Sequence, residues 1–157
     1  MDSDMKKLLL ATTVLGGMLA LGTVQASAAT IDINDSTPGV QSLYFDKDNN
    51  LAGASSKNLF ERASACGSAD IAKNKTPQLA GAVNYANGRW VYYTDHNNYL
   101  NGYKWGHSNY TQRKLSHSSS ARVGGTLRSA SARAEQQSQA VAKAKGSFTP
   151  SIDNGSR

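Results

Sequence analysis

The hydrophobic positions of the chain fall in two regions separated by a polar stretch. The first is a mostly apolar run over residues 8–21, which follows the basic pair Lys6-Lys7 and precedes Ala26-Ser27-Ala28. A basic start, an apolar run and a small-residue site are the three parts of a secretory signal peptide. A run of about 14 residues is shorter than the roughly 20 that a membrane-spanning helix needs. We therefore predict a secreted, soluble protein with cleavage after Ala28, and the bonds after Ala26 and Ala29 are the alternatives.

Residues 29–80 form the polar stretch, in which clusters of turn-forming residues leave little room for a core. The clusters are Asp35-Ser36-Thr37-Pro38-Gly39, Asp46-Lys47-Asp48-Asn49-Asn50 and Lys73-Asn74-Lys75-Thr76-Pro77. Such clusters mark loops and turns, so we predict a partly ordered, loop-rich extension or pro-segment. The second cluster begins with the spacing of a calcium loop. However, Leu51 and Lys57 stand where that loop needs a glycine and a bidentate glutamate, so the sequence argues against a calcium site.

The second hydrophobic region, residues 81–125, combines aromatic and β-branched residues at strand spacing. A strand over residues 89–94 is predicted after the turn Asn87-Gly88. Turn clusters at residues 95–98 and at Asn101-Gly102 precede a second strand, which runs from Tyr103 to Tyr110. Alternation places Tyr103, Trp105 and His107 on one face of it. A third strand is predicted from His117 to Val123 and ends at Gly124-Gly125.

The C-terminal part of the chain contains two opposing signals. Residues 127–145 are rich in Ala, Gln, Arg and Lys, which favours a helix by intrinsic propensity. The alanines nevertheless alternate at positions 130, 132 and 134 and again at 140, 142 and 144, which is the period of a strand. We favour two strands joined as a hairpin by residues 135–138. Residues 147–157 are predicted to be a flexible tail, and the domain as a whole is predicted to be all-β.

The formal net charge of +6 is unevenly distributed along the chain. Residues 29–84 carry five basic and six acidic side chains, whereas residues 85–157 carry ten basic and three acidic ones, a net of +7. For an exported protein, the anionic partners at hand are envelope polymers and lipid-linked phosphates more than nucleic acid. The alternative interpretation is a solvated basic surface that keeps the protein soluble.

The side chains that usually carry catalysis or bind metals do not form a known motif. The three histidines are separated by 11 and 10 residues, which matches no metal-ligand spacing. Only three acidic residues occur after residue 84, and no nucleophile elbow, phosphate loop or dinucleotide fingerprint is found. Cys66 is the only cysteine, so it either stays a free or buried thiol or links a homodimer. We therefore predict a binding protein without catalytic residues, metal or cofactor.

Several short motifs resemble the lactococcin 972 family of secreted bacteriocins over about residues 81–146. They are Trp90 after a glycine-led turn, Gly106-His107-Ser108-Asn109-Tyr110, Lys114, His117-Ser118-Ser119-Ser120-Ala121-Arg122-Val123 and Arg128-Ser129-Ala130-Ser131-Ala132. The resemblance implies a small antiparallel β-sandwich. It also implies that the protein binds the cell-wall precursor lipid II and blocks septum formation in related Gram-positive bacteria. Two features depart from the family: residues 29–80 have no counterpart, and the tryptophan of the Arg/Ser/Ala strand is absent.

Outward-facing basic and aromatic residues are the candidates for the contact surface of such a binder. Tyrosine offers rigid amphipathic contact area, and lysine and arginine offer affinity for phosphate. By alternation, and with most of the aromatic residues assigned to the core, the candidates are Tyr93, Lys104, Arg113, Lys114 and Arg122. The same surface also fits an alternative function, that of a non-toxic exported protein that binds the cell wall or a host surface.

Overall fold

The computed structural model describes residues 29–33, 39–71 and 79–154. The predicted signal peptide and its cleavage site after Ala28 lie outside the described residues. Within these ranges the chain forms one helix and two five-stranded sheets. The first sheet has the order β1 (Ala29–Ile33), β4 (Ala80–Tyr85), β5 (Gly88–Asn98), β6 (Tyr103–Gln112) and β9 (Gln137–Lys145). The second has the order β3 (Leu51–Ala54), β2 (Val40–Phe45), β10 (Phe148–Asp153), β7 (His117–Val123) and β8 (Thr126–Ala132).

The prediction of an all-β fold is confirmed, because strands dominate and one helix, α1 (Lys57–Ile71), accompanies them in the described residues. Neighbouring strands run antiparallel except for the parallel pair β1–β4. The two sheets pack with their inner faces together, which gives the fold a β-sandwich-like architecture. No helix in the described ranges has the length and apolar character to span a membrane.

Aromatic side chains from both sheets fill the space between them. Trp90 and Tyr92 of the first sheet are buried together, and Tyr92 lies 5.7 Å from the ring of Phe45 in the second sheet. Phe45 in turn stacks on Phe148 at 6.1 Å. Burying a side chain of this size stabilises a fold by about 1.5–3 kcal/mol. The aromatic core predicted for residues 81–125 is therefore present, and the second sheet adds Phe45 and Phe148 to it.

A polar connection also joins the sheets at the centre of the core. The Trp90 indole Nε1 donates to Ser108 Oγ at 3.0 Å, and Ser108 Oγ donates to the Ser151 carbonyl oxygen of β10 at 3.0 Å. Both side chains that donate here are fully buried, so each polar group needs its partner. This chain of two hydrogen bonds aligns β5 and β6 with the central strand of the second sheet.

The predicted extension over residues 29–80 is, in its described part, a component of the sandwich. Strand β2 lies beside β10 inside the second sheet, and its Leu43 and Phe45 belong to the core. Helix α1 adds the fully buried Leu59, and its first turn is capped by Ser56 Oγ, which accepts from the Leu59 N–H at 3.2 Å. The prediction of an extension was wrong because a few apolar residues of this stretch, among them Leu43, Phe45 and Leu59, are buried in the core, although its average composition is polar.

The period-two pattern of the alanines correctly predicted strands, but the predicted hairpin was wrong. Strand β8 pairs with β7 in the second sheet, whereas β9 pairs with β6 in the first sheet. The connection crosses from one sheet to the other, and the Glu135 N–H donates to the Gln112 carbonyl oxygen at 2.8 Å on the way. Glu135 adopts a φ of 67°, which reverses the chain direction at this point.

The predicted flexible tail is also wrong for residues 148–153, because these residues form β10 between β2 and β7. Phe148, Pro150 and Ile152 alternate inward and are buried. Proline is disfavoured in a central strand because it has no N–H to donate. The structure accommodates it because the pairing with β2 stops after Phe148 and resumes at Ser151, so the missing donor falls in the interruption.

Candidate functional site

The candidate site lies on the outer surface of the first sheet, where β5, β6 and β9 carry large polar and aromatic side chains. We call it the outer aromatic face and define it by seven residues: Tyr93, Asp95, His96, Tyr103, Trp105, His107 and Lys143. Cross-strand pairing brings Tyr93 opposite His107, and Trp105 between Asp95 and Lys143. The prediction that Tyr103, Trp105 and His107 share one face is confirmed, and this face points away from the core.

Ring stacking between neighbouring strands holds the face together. The Tyr93 and His107 rings lie parallel with their centroids 4.2 Å apart. The His96 ring stacks on Trp105 at 3.9 Å, and the Lys143 Nζ lies 3.5 Å from the centroid of the same indole. A cation over an indole contributes about 0.5–1 kcal/mol at an exposed site. Trp105 is thus fixed in place between an imidazole and an ammonium group.

A single carboxylate oxygen organises the two histidines of the face. Asp95 Oδ1 lies 3.0 Å from His96 Nδ1 and 3.1 Å from His107 Nε2, so each ring donates to it from that nitrogen. Burial on its own would raise the pKa of Asp95, but the hydrogen bonds from His96 and His107 outweigh it and lower the pKa below 3.8. Asp95 is therefore an anion that orients its neighbours.

An irregularity in β5 makes this arrangement possible. Residues 95–98 were predicted to be a turn, but they continue the strand with a shift in register between Asp95 and Asn98. His96 adopts a φ of 49° there, in the left-handed region that costs a non-glycine residue about 1–2 kcal/mol. This conformation turns the imidazole back over Trp105, so the stacking and the bond to Asp95 offset the backbone strain.

The five residues predicted to face a ligand do not form one surface. Tyr93 belongs to the outer aromatic face, whereas Arg113 and Lys114 lie in the connection after β6, next to the turn at Asn87. Tyr93 lies five residues along β5 from Gly88, which pairs with the last residue of β6, a distance of about 17 Å. Arg122 is exposed on the outer side of the second sheet. The prediction of one patch built from these residues is therefore not what the fold produces.

Lys104 was predicted to point outward, and this is wrong, because its side chain is only 2% exposed. The ammonium donates to the Lys47 carbonyl oxygen at 2.7 Å and to Asn49 Oδ1 at 2.6 Å. Burial lowers the pKa of Lys104 below 10.5, against the attraction of Asp46 and Asp48. Lys104 therefore stabilises the β2–β3 turn from inside.

The β2–β3 turn that Lys104 supports is the cluster with calcium-loop spacing. Asp46 Oδ1 accepts the N–H groups of Asp48 at 2.8 Å and Asn50 at 2.9 Å, so its carboxylate closes the turn. Asn49 takes the left-handed conformation that such a turn requires, with a φ of 67°. In this turn the Asp46 carboxylate therefore accepts hydrogen bonds from backbone N–H groups, and the positive charge that contacts the turn is the Lys104 ammonium.

The third histidine lies apart from the other two. His117 is buried at the start of β7, with Nδ1 3.0 Å from the Leu115 carbonyl oxygen and Nε2 3.1 Å from that of Tyr110. Both ring nitrogens therefore meet the backbone, and the ring packs edge-on against Tyr110 at 5.1 Å. Among the described residues, no group of three histidine, cysteine or acidic side chains is arranged to hold a metal ion.

Sequence reasoning missed Asp95, His96, Trp105 and Lys143 as parts of a surface. The signal that would have found three of them is cross-strand pairing, because Asp95 and Lys143 pair with Trp105 once the register is known. His96 lies in the register shift of β5, which the sequence pattern does not reveal. Chemically, the face offers an exposed imidazole, half-buried aromatic rings and an ammonium group. Such a surface suits an amphipathic ligand that carries both rings and negative charge.

Comparison with protein-family models, with curated proteins and with solved structures finds no match for this chain. The resemblance to the lactococcin 972 family therefore stays a prediction.

Proposed function

We propose that the protein is a secreted, bacteriocin-like binding protein that inhibits related Gram-positive bacteria. In this proposal it binds lipid II at the outer aromatic face and blocks septum formation. One observation supports the proposal above the others: Lys143 lies over Trp105 on an exposed sheet surface, and no carboxylate lies within ion-pair distance of it in the described residues.

The chemistry of a lipid-linked precursor matches this surface. Its phosphate groups need cations, and lysine ammonium groups bind phosphate as point charges. Lys145, which pairs with Tyr103 at the end of β9, adds a second exposed cation on the same side. The sugar rings need flat amphipathic partners, which Tyr93 and Tyr103 supply with rings that are half-buried and held by their neighbours. Asp95 acts only by orienting the two histidines.

The test uses the purified protein with lipid II in detergent micelles and, in parallel, growth of related dividing bacteria. We expect saturable lipid II binding, growth inhibition, and loss of inhibition when free lipid II is added. Removing one charge-assisted contact costs about 1.5–3 kcal/mol. Lys143→Met should therefore weaken lipid II binding between about tenfold and a hundredfold. The matched control is Lys114→Met, which removes an equal charge from the distant β6–β7 connection.

The result that would contradict the proposal is an absence of lipid II binding together with an absence of inhibition across a panel of related bacteria. Equal effects of Lys143→Met and Lys114→Met would support binding through total charge and would remove the assignment to the outer aromatic face.

A second candidate function is a non-toxic exported protein that adheres to the cell wall or to a host surface. The observation that favours it is the dispersal of Arg113, Lys114 and Arg122 over separate exposed surfaces. An extended polyanion contacts dispersed charges better than a small ligand does. Fractionation of the producing cells distinguishes the two functions. A bacteriocin is released to the medium, whereas an adhesive protein stays with the wall until high salt removes it.

A further inference from the structure

The turn between β5 and β6 presents the most exposed large hydrophobic side chain in the described part of the molecule. Leu100 is 98% exposed and its neighbour Tyr99 is 60% exposed. Single exposed apolar residues are common on protein surfaces. Two in succession at the tip of a protruding turn form an apolar point that water solvates poorly. We call these two residues the apolar tip.

Hydrogen bonds hold the turn that carries the apolar tip. The Asn98 carbonyl oxygen accepts the Gly102 N–H at 2.8 Å, and Asn98 Oδ1 accepts the Leu100 N–H at 3.0 Å. Gly102 takes the left-handed conformation that closes the turn, with a φ of 73°. Its carbonyl oxygen accepts the Gly146 N–H at 3.2 Å, which ties the turn to the β9–β10 connection. The exposure of Leu100 is thus a property of a built turn.

Two exposed lysines that form no ion pair within the described part of the chain lie beside the apolar tip. Lys145 pairs with Tyr103 at the base of the turn, and Lys143 lies two residues earlier in β9, opposite Trp105; both lysines are exposed. The nearby Asp95 is occupied by the two histidines of the outer aromatic face. Asp46 is occupied by the N–H groups of its own turn. Neither lysine lies within ion-pair distance of a carboxylate among the described residues.

We propose that the apolar tip, together with Lys143 and Lys145, is a site that docks the protein onto an anionic phospholipid bilayer. Leu100 enters the boundary between headgroups and acyl chains, and the Tyr99 ring lies at the headgroup level, where tyrosine is favoured. The two ammonium groups remain among the lipid phosphates while their alkyl stems lie along the interface. The anionic surface attracts juxtaposed lysines, and the net charge of +7 over residues 85–157 favours approach.

This proposal does not require a ligand at the outer aromatic face, because the bilayer itself is the partner, although Lys143 belongs to both sites. Its position is nevertheless informative, since β5 and β6 carry both the apolar tip and the outer aromatic face. A protein docked by the tip would hold that face next to the headgroup region. The outer aromatic face would therefore lie at the same depth as the phosphates of a lipid-linked ligand.

The experiment measures sedimentation of the full protein with vesicles that contain no lipid II. One set contains phosphatidylglycerol mixed with phosphatidylcholine, and the other contains phosphatidylcholine alone. We expect binding to the anionic vesicles that weakens as salt rises. Leu100→Ser should reduce the affinity about tenfold, because the inserted methyl and methylene groups are lost. Val40→Ser is the matched control, because Val40 is 57% exposed and lies at the start of β2, away from the tip.

A second variant reports the depth of the contact directly. In Leu100→Trp, the new indole should shift its emission to shorter wavelength on anionic vesicles and should be quenched by lipids with brominated acyl chains. The proposal is overturned if the protein does not sediment with anionic vesicles, or if Leu100→Ser and Val40→Ser bind alike. It is also overturned if Leu100→Ser abolishes a concentration-dependent dimer without changing vesicle binding, since a second copy would then occupy the tip. Binding of lipid II in micelles is measured separately, so the two proposals fail independently.

Discussion

Gly106 of β6 faces the second sheet and has no room for a Cβ, and replacing it with alanine tests the packing that orients β6. A Cβ at Gly106 would lie 2.5 Å from Phe148 Cδ2 and 2.7 Å from Val123 Cγ2. Two carbon atoms pack best at about 3.5–4.0 Å. Both neighbours are fully buried in the second sheet, so neither can move into solvent. Gly106→Ala therefore requires a shift of about 1 Å between the sheets or a distorted Phe148 rotamer.

The magnitude of the effect follows from two opposing terms. Overpacking a core costs about 1–3 kcal/mol, and occasionally more. Replacing glycine by alanine inside a strand returns about 0.5–1 kcal/mol through the unfolded chain. Because the added Cβ lies too close to two side chains, we expect an overpacking cost near the upper end of about 1–3 kcal/mol. After the gain from the unfolded chain, the net loss of stability is about 2 kcal/mol. For a domain of this size, that corresponds to a fall in Tm of about 8 °C.

Urea unfolding followed by circular dichroism measures the free energy of unfolding, and Gly125→Ala is the matched control. Gly125 lies in the β7–β8 turn, where an added Cβ would meet nothing within 4 Å. Adding Phe148→Leu to Gly106→Ala should recover more than 1 kcal/mol relative to additive effects, because the clash is removed. The packing described above is refuted if Gly106→Ala unfolds within about 0.5 kcal/mol of Gly125→Ala, or if the two substitutions are additive.

Three further predictions address buried and charged groups. Lys104→Met should lower the free energy of unfolding by about 1–3 kcal/mol, since the β2–β3 turn loses the charged donor to Asn49 Oδ1. Thermal melting measures this loss, and the binding of lipid II should be unchanged. The lowered pKa of Asp95 contributes stability above pH 3.8 that is lost as pH falls through its folded pKa. Asp95→Asn should therefore melt below the wild type at pH 7, and the difference should shrink below pH 3.8. Trp90→Phe should cost about 2 kcal/mol, because it leaves a void and removes the donor to Ser108 Oγ, and the remaining tryptophan emission should shift to longer wavelength.

Local patterns were sufficient for the strands whose two faces differ clearly. The boundaries of β7 were predicted at His117 and Val123, and the structure has the same boundaries. After His117, its inward residues are small or apolar and its outward residues are polar, so the period of two can be read from the sequence. The alternating alanines of β8 and β9 likewise predicted two strands. Pairing partners could not be predicted for them, because both strands carry small inward side chains that fit either sheet.

The sequence patterns failed to predict the strands that bury only a few large side chains. Strands β2 and β10 contain only two or three large inward side chains each, and both are interrupted by residues typical of loops. Because β10 was not predicted, no strand was expected to pack against the inner face of β6. Most aromatic residues were therefore assigned to the core and Lys104 to the surface. In the structure Tyr110 of β6 is in the core, but Tyr103 and Trp105 face outward and Lys104 faces inward.

The opposite orientation of β6 has a physical cause that also accounts for the candidate site. Phe148 and Val123 of the second sheet already fill the centre of the core, so β6 must present small residues inward, and Gly106 and Ser108 meet this requirement. Alternation then forces Trp105 outward, where it would be costly if it stood alone in water. The neighbouring strands cover it with an imidazole and an ammonium group, which leaves a polarised aromatic surface. The outer aromatic face is thus a consequence of how the second sheet packs, and a change in that packing should alter the lipid II binding that we propose for this face.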